Sequence, residues 1–333
     1  MTAPTPDIDI VIVSFNTREL LRRCLDSINK HAAPVTVHSI VVDNASHDGS
    51  ADMVAQEFPQ TRLVVNSENL GFGAANNRGT AEGEAPLILF LNSDAELTPG
   101  ALAALAACLA ADANAVIAGP ALQNSDGSWQ PSLRRFPTWG RNLWLYSGLG
   151  ARFPGRLRPW DTWLNEVEHR SARTVDMVSG ACFLARRQYM DSVGGFDENL
   201  FFYEEELDLS LPARRAGKTV RYCPEAHVIH HGGASVTSSG MSSFARRHLF
   251  RGKYYVFRKH YGPRYARATY ASDVVLFALS LVRNSIWGNV RPARALLTAA
   301  RRGWRESFRS AEELRAAPEF WGGVRVGGKD SKD

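Results

Sequence analysis

The sequence predicts an α/β chain: a mostly parallel sheet with helices on both faces, followed by a basic, helical C-terminal appendage. Three observations carry this. Apolar strands and amphipathic helices alternate with short connections through about the first 120 residues. Leu87-Ile88-Leu89-Phe90-Leu91 is an unbroken apolar run, as a strand covered on both faces requires. Residues 244–310 carry 15 Lys and Arg against 2 Asp and Glu, a net of +13 that leaves the rest at −8 within a whole-chain charge of +5.

Each element has its own signal. Ile8 to Ser14 is β-branched and reads as the first strand. Asn16 and Glu19 have capping-box spacing, and Leu20, Leu21, Cys24, Leu25 and Ile28 follow at helical intervals. Ser39 to Val42 is the next strand, ending at Asp43. The polar loop Asn44 to Ser50 enters a helix over Ala51 to Phe58, and Leu63 to Val65 is a third strand. A small-residue helix follows Gly71, and the strand from Pro86 ends in Asn92-Ser93-Asp94-Ala95-Glu96. Ala101 to Ala111 is an Ala/Leu helix, Ile117 opens a strand, and Val175 to Leu184 reads as another.

Residues 123–172 look irregular, and a loop of that length inside a domain is usually functional. Its Trp129, Arg134, Arg135, Phe136 and Trp139 suit a flat or anionic partner. Glu204-Glu205-Glu206-Leu207-Asp208 begins a helix that Pro212 should kink or end. Phe244 to Tyr261 interleaves Arg246, Arg247, Arg251, Lys253, Arg258 and Lys259 with aromatics, as a segment lying on an anionic membrane would. The apolar run Val274 to Leu281 is too short to span a bilayer. No nucleic-acid recognition motif accompanies the basic residues.

The 333 residues, 44% hydrophobic and 22% charged, suffice for one large domain plus an appendage. Boundaries are expected at 1–243 for the body, in halves of about 1–120 and 121–243, and at 244–333 for the appendage. Met1 to Asp9 carries no basic or apolar leader, so no signal peptide is expected. Cys24, Cys108, Cys182 and Cys223 form no CxxC pair and read as small core residues in a reducing compartment.

Open α/β sheets collect ligand groups at the carboxyl ends of strands. Ser14, Asn16, Asp43, Asn69, Asn92 and Asp94 all fall there. A carboxylate at such a place can hold a divalent cation against a diphosphate, and Asp43 can accept the imide N–H of uracil or thymine. Gly71 and Gly73 allow close backbone approach, but position 76 is Asn, so the dinucleotide fingerprint GxGxxG is not met.

Eight segments in order resemble the inverting GT-A glycosyltransferases of family 2, especially the rhamnosyltransferase-like branch. They are Val11 to Asn16; Val41 to Ser46 with Asp48-Gly49-Ser50; Asn69 to Asn77; Phe90 to Asp94; Val178 to Cys182; Gly194 to Glu198; Tyr203 to Leu209; and His230 to Ser235. The resemblance implies a Rossmann-like GT-A sheet and transfer of a sugar, L-rhamnose from dTDP-L-rhamnose, to a glycan or polyprenyl-diphosphate-linked acceptor. It places Ser14, Asn16, Asp43, Asn69, Gly71, Phe72, Asn76 and Asn92 at the nucleotide, and Asp94 and His230, with His231 as rival, at Mn²⁺ or Mg²⁺. Asn92 stands where the family's metal motif carries its first Asp, a loss of one charge. Glu206 stands at the family's catalytic aspartate, with Glu205 as rival. Trp129, Arg134, Arg135, Gly180 and Asp197 are expected at the sugar or acceptor. The expected setting is the cytoplasm, peripheral on the inner face of the plasma membrane. A non-catalytic subunit of a polysaccharide-assembly complex is the alternative. A sugar nucleotidyltransferase fits less well, because Ser14 to Arg18 lacks the glycine-rich loop.

Overall fold

The computed structural model describes residues 6–147, 164–232, 236–237, 240–286 and 291–316. The N-terminal part of the chain holds β1 (Ile8–Ser14), α1 (Arg18–His31), β2 (Val37–Asp43), α2 (Ser50–Glu57), β3 (Arg62–Val65), α3 (Phe72–Thr80) and β4 (Leu87–Asn92). Next come β5 (Ala95–Leu97), α4 (Ala101–Ala110), β6 (Ala115–Gln123), β7 (Trp129–Gln130), β8 (Leu133–Arg134) and α5 (Trp139–Ser147). Then follow β9 (Arg173–Val175), β10 (Met177–Val178), β11 (Cys182–Arg186), α6 (Arg187–Val193), α7 (Glu205–Arg215) and β12 (Thr219–His230). The C-terminal helices are α8 (Ser243–Tyr261), α9 (Pro263–Ile286), α10 (Arg291–Glu306) and α11 (Ala311–Arg315).

The main sheet runs β3-β2-β1-β4-β11-β6-β12-β5. The first four strands are mutually parallel; β11 is antiparallel to both neighbours, so β6 and β12 again run with β4. Alternation of side chains lets one strand feed two cores. Ile8, Ile10 and Ile12 pack with Leu21, Cys24, Leu25 and Ile28 of α1, while Val11 joins Phe90, Phe183 and Phe196 on the other face. β4 divides the same way, with Leu89 and Leu91 on one side and Ile88 and Phe90 on the other. This is the physical content of its unbroken apolar run.

Several local expectations are corrected. Thr17, not Asn16, precedes α1 and makes no side-chain cap; Asn16 sits at φ 54° and accepts the His47 amide, while Glu19 pairs with Arg22. The span Val175 to Leu184 is not one strand but parts of β9, β10 and β11, parted at Ser179-Gly180-Ala181. The region 123–172 includes β7, β8, α5 and a 3-10 turn over Glu166–His169, and its residues 148–163 lie outside the described ones. α7 continues through Pro212 to Arg215. Cys108 of α4 and Cys223 of β12 form a disulfide 115 residues apart in sequence, so four free core thiols was the wrong reading; Cys24 and Cys182 are free and buried. α4 packs directly on β12, which brings the pair together.

Several cations of the basic segment expected to lie on an anionic membrane are instead turned inward. Arg247, Arg251 and Lys253 are buried, because each finds a partner inside the protein. Arg247 donates to Glu306 at 2.6 Å, Arg251 to the Asn199 carbonyl at 2.5 Å, and Lys253 to Asp273 at 2.7 Å. Lys259 bridges Asp197 and Asp208 at 2.7 and 2.9 Å, fastening α8 to the body. Among the described residues, no helix is long and apolar enough to cross a membrane.

Candidate active site

Two adjoining cavities lie at the carboxyl ends of β1 and β4. One, of about 260 Å³, is lined by Phe15, Thr17, Asn44, Asn69, Gly71 and Phe244 among others; the second, of about 400 Å³, by Gln130, Gly180, Tyr203, Glu205, Glu206 and His230. Phe72, Asn92, Asp94 and Phe202 line both, so the two form one cleft of the size that small-molecule ligands occupy.

The wall that carries Asn69 and Gly71 is organised by Asn44. Its Oδ1 accepts from Asn66 Nδ2 and the Leu70 amide, each at 2.9 Å, and its Nδ2 donates to Asn69 Oδ1 at 2.8 Å and the Gly71 carbonyl at 3.2 Å. All four hydrogen-bonding positions of the amide are used, which fixes the loop before α3. Gly71 sits at φ +87°, and a Cβ there would lie 2.6 Å from the Phe201 carbonyl oxygen. Only glycine permits this approach, and the Phe72 amide then donates to that same carbonyl at 2.8 Å. Asp43 is buried; Oδ2 accepts the Ser46 amide at 3.0 Å, whereas Oδ1 has no partner. A buried acceptor without a donor is costly. Asp43 lines neither of the two cavities.

The register of β5 against β12 places His230 opposite Ala95, beside Asp94. His230 Nε2 lies 3.3 Å from Asp94 Oδ1, and its Nδ1 lies 2.7 Å from Gln130 Oε1. Gln130 Oε1 can only accept, so Nδ1 donates to it, which holds the ring with Nε2 toward the carboxylate. Burial raises the Asp94 carboxyl, but the hydrogen bond and charge of His230 outweigh it and hold the group below its ordinary value. His231 is engaged elsewhere, with Glu96 Oε1 at 2.6 Å and Ser125 Oγ at 2.8 Å. Imidazole and carboxylate line one cavity with Asn92, and with further oxygen ligands that donor set fits a divalent cation. No group of three or more His, Cys, Asp or Glu side chains suited to a metal occurs among the described residues.

The opposite wall is the start of α7. Tyr203 and Glu204 take φ of 75° and 74°, two successive left-handed non-glycine residues, and aim Glu205 and Glu206 at the cavity. α8 supports this turn: a Cβ on Gly252 would lie 2.8 Å from the Tyr203 carbonyl oxygen. Glu205 is buried with Oε1 unpartnered, while Glu206 is partly open to the cavity and accepts the Gly180 amide. A Cβ on Gly180 would lie 2.1 Å from Glu206 Oε1, so the missing side chain there makes room for a glutamate. Burial pushes both carboxyls above their ordinary value; the Arg134 charge partly offsets the rise at Glu206.

Other expected residues stand apart from the cleft. Ser14 is fully buried and hydrogen-bonds Thr17, which donates to Ser93. Asn76 is buried and donates to the Phe72 carbonyl within α3. Trp129 packs edge-on against His169. Arg134 lies under the acidic turn, 3.4 Å from Glu204, and Arg135 pairs with Glu168 and lines a different cavity. Asp197 is taken by Tyr255, Lys259 and the Asn199 amide. Residues that sequence reasoning missed include Gln130, Phe202, Tyr203 and Phe244. Gln130 ends a two-residue strand too short to read from sequence, and Phe202, Tyr203 and Phe244 are aromatic residues outside the polar strand ends.

A profile of the family described as Glycosyl transferase family 2 matches residues 9–194. The chain is 33% identical over 257 residues to the N-acetylglucosaminyl-diphospho-decaprenol L-rhamnosyltransferase of Mycobacterium tuberculosis H37Rv, covering 73% of this chain and 82% of that one. In structure it resembles the Pyrobaculum calidifontis mannosyltransferase solved with GDP-Man and Mn²⁺, with TM-score 0.53, 16% identity and coverage of 92% of this chain and 87% of that one. It also resembles GalNAc-T7 solved with UDP, GalNAc and Mn²⁺, with TM-score 0.56, 14% identity and coverage of 76% and 48%. These likenesses establish the expected GT-A architecture. With a matched profile over more than half its length and a relative one-third identical, the chain belongs to glycosyl transferase family 2.

Proposed function

We propose that this glycosyltransferase moves L-rhamnose, with inversion, from dTDP-L-rhamnose to a hydroxyl of an N-acetylglucosamine carried on a polyprenyl diphosphate. It works at the inner face of the plasma membrane. The observation that carries the reading is a single cleft lined by Asp94 and His230 as well as by Glu206. The acceptor and sugar follow the mycobacterial relative's name.

The donor's base lies toward Asp43, and the diphosphate lies along Asn92 and Asp94. Glu206 takes the proton of the acceptor hydroxyl as that oxygen bonds to the anomeric carbon and the nucleoside diphosphate departs with the old bond's electron pair. A carboxyl raised by burial is a stronger base than an exposed glutamate. Asp94, His230 and the Asn92 carbonyl would hold a divalent ion, which when bound neutralises charge at the diphosphate. Mn²⁺ suits the nitrogen ligand best.

A panel of sugar nucleotides with a short-chain lipid-diphosphate acceptor, in Mn²⁺, Mg²⁺ or EDTA, tests this. Metal-dependent release of dTDP only with dTDP-L-rhamnose is expected. Binding of dTDP without turnover of any donor would favour a non-catalytic subunit. Gln130→Leu is expected to weaken Mn²⁺ binding by about 10–100-fold through loss of the His230 orientation. Calorimetry with dTDP present reads this, and unchanged affinity would remove His230 from the ligand set.

A further inference from the structure

Of the described residues that line the cavity of about 260 Å³, Asp94 alone is charged, and five are phenylalanines: Phe15, Phe72, Phe201, Phe202 and Phe244. Two of its amides are engaged within the protein. Asn44 uses all its hydrogen-bonding positions, and Asn69 Oδ1 accepts from Asn44 Nδ2 at 2.8 Å and from the Gly71 amide at 2.9 Å. What remains is a lining of flat apolar faces, which suits a heterocyclic base or the face of a ribose better than a phosphate.

Phe15, Phe72, Phe201 and Phe202 belong to the body of the protein. Phe244 does not: it sits in the first turn of α8, well beyond residue 194, where the matched family profile ends. Ser242 caps α8 by accepting the Ala245 amide at 3.1 Å, which fixes the turn that carries Phe244. The Phe244 ring is half-buried, edge-on to Phe201 with centroids 6.2 Å apart, and 4.4 Å from the His248 ring. Phe201 lies against Gly71, whose carbonyl accepts from Asn44. This chain of contacts sets Phe244 on the Asn44 and Gly71 side of the cavity. α11 braces the same side. Its Leu314 is fully buried with Phe201, with Phe202 and Phe244 packed against the pair, and Arg315 Nε lies 3.8 Å from the carboxylate of Glu68, next to Asn69. Among the described residues, Phe244 is the one residue of the C-terminal helices that lines the cleft.

We propose that Phe244 lays its ring against the nucleoside of the donor, so that the C-terminal helices complete the nucleotide pocket. The inference rests on the reading that the cleft binds a nucleoside-diphosphate sugar with its diphosphate along Asn92 and Asp94. The nucleoside is then left with the Asn44 and Gly71 side, where Phe244 stands. Every base has a flat face, so Phe244 sets affinity for the nucleoside and not the choice of sugar.

The test is titration calorimetry of the full chain with dTDP, with GDP and with inorganic pyrophosphate, all with Mg²⁺ present. Phe244→Ala is expected to weaken dTDP binding about tenfold and to leave pyrophosphate within about twofold of the wild type. Phe244→Leu keeps apolar bulk against Phe201 and His248 but has no flat face, so it should lose nearly as much dTDP affinity with a melting curve close to the wild type's. Wild-type dTDP affinity in either folded variant overturns the proposal. Equal loss of dTDP and pyrophosphate binding also overturns it, since the whole wall would then have shifted. A chain that binds GDP in place of dTDP, with that binding weakened by Phe244→Ala, keeps Phe244 in its role and removes dTDP-L-rhamnose as the donor.

Discussion

Glu206→Gln is expected to lower kcat by about 10²–10⁴-fold while donor affinity stays within about threefold, because the amide keeps the shape and loses only the proton acceptor. Glu205→Gln is expected to be much milder in kcat. Glu205 is buried and Glu206 is the one partly open to the cavity. The pH profile sharpens the distinction. The Glu206 carboxyl is raised above the ordinary glutamate value of 4.5 by burial, so the active, deprotonated form is lost as pH falls through that raised value. The acid limb of kcat/KM should therefore lie above pH 4.5 in the wild type and be absent from the residual rate of the Gln variant.

Stability separates the two carboxylates in the other direction. Glu205 has a folded-state pKa above its unfolded one. Its contribution is present at low pH and is lost as pH rises through the folded value, so raising the pH disfavours folding. Glu205→Gln should raise Tm at pH 7 by a few degrees, with a smaller gain at pH 5. If instead Glu205→Gln abolishes turnover and Glu206→Gln does not, the roles are exchanged. The buried acids and the left-handed backbone at Tyr203 and Glu204 both disfavour the folded state locally. The packing of α8 on that turn, through Gly252, is what holds it.

The sheet was legible because its signals are local. A strand buried on both faces must be apolar at every position, and Leu87 to Leu91 meets that alone. Strand-end polarity likewise led to Asn69, Asn92 and Asp94, which do line the cleft. It led equally to Ser14, whose side chain turns into the protein, as does that of Asn76, which the family resemblance suggests; a position in sequence does not give a side-chain direction. Asp197 was misread for a related reason. Its partners Tyr255 and Lys259 lie some sixty residues on, and a carboxylate so engaged cannot be told from a free one by spacing. Gln130 and Phe244 reach the cleft from a two-residue strand and from the start of a helix, neither with any polar pattern. The buried cations of α8 show the same limit. Composition reported their charge, but Asp273 and Glu306, which permit their burial, lie on other helices.

Asp94→Ala carries the second large effect. Asn92 is neutral, so Asp94 is the one carboxylate on the strand-end side of the proposed metal site, and its loss leaves His230 with a carbonyl and substrate oxygens. Loss of charge neutralisation at the departing diphosphate should lower kcat/KM by about 10²–10³-fold and abolish the difference between Mn²⁺ and EDTA. His231→Ala serves as the control, since His231 is turned to Glu96 and Ser125, and its rate should fall less than about tenfold. Asp94→Asn is the more exacting variant. It keeps an oxygen in place but removes the charge, so the Mn²⁺ concentration for half-maximal rate should rise while saturating Mn²⁺ recovers part of the activity. An Asp94→Asn enzyme with wild-type metal dependence would mean that the carboxylate acts only by orienting His230. The ion, if needed, would then bind through the diphosphate and His230 alone. That outcome would leave Glu206 as base untouched, because the proton and the leaving group are handled on opposite walls of the cleft.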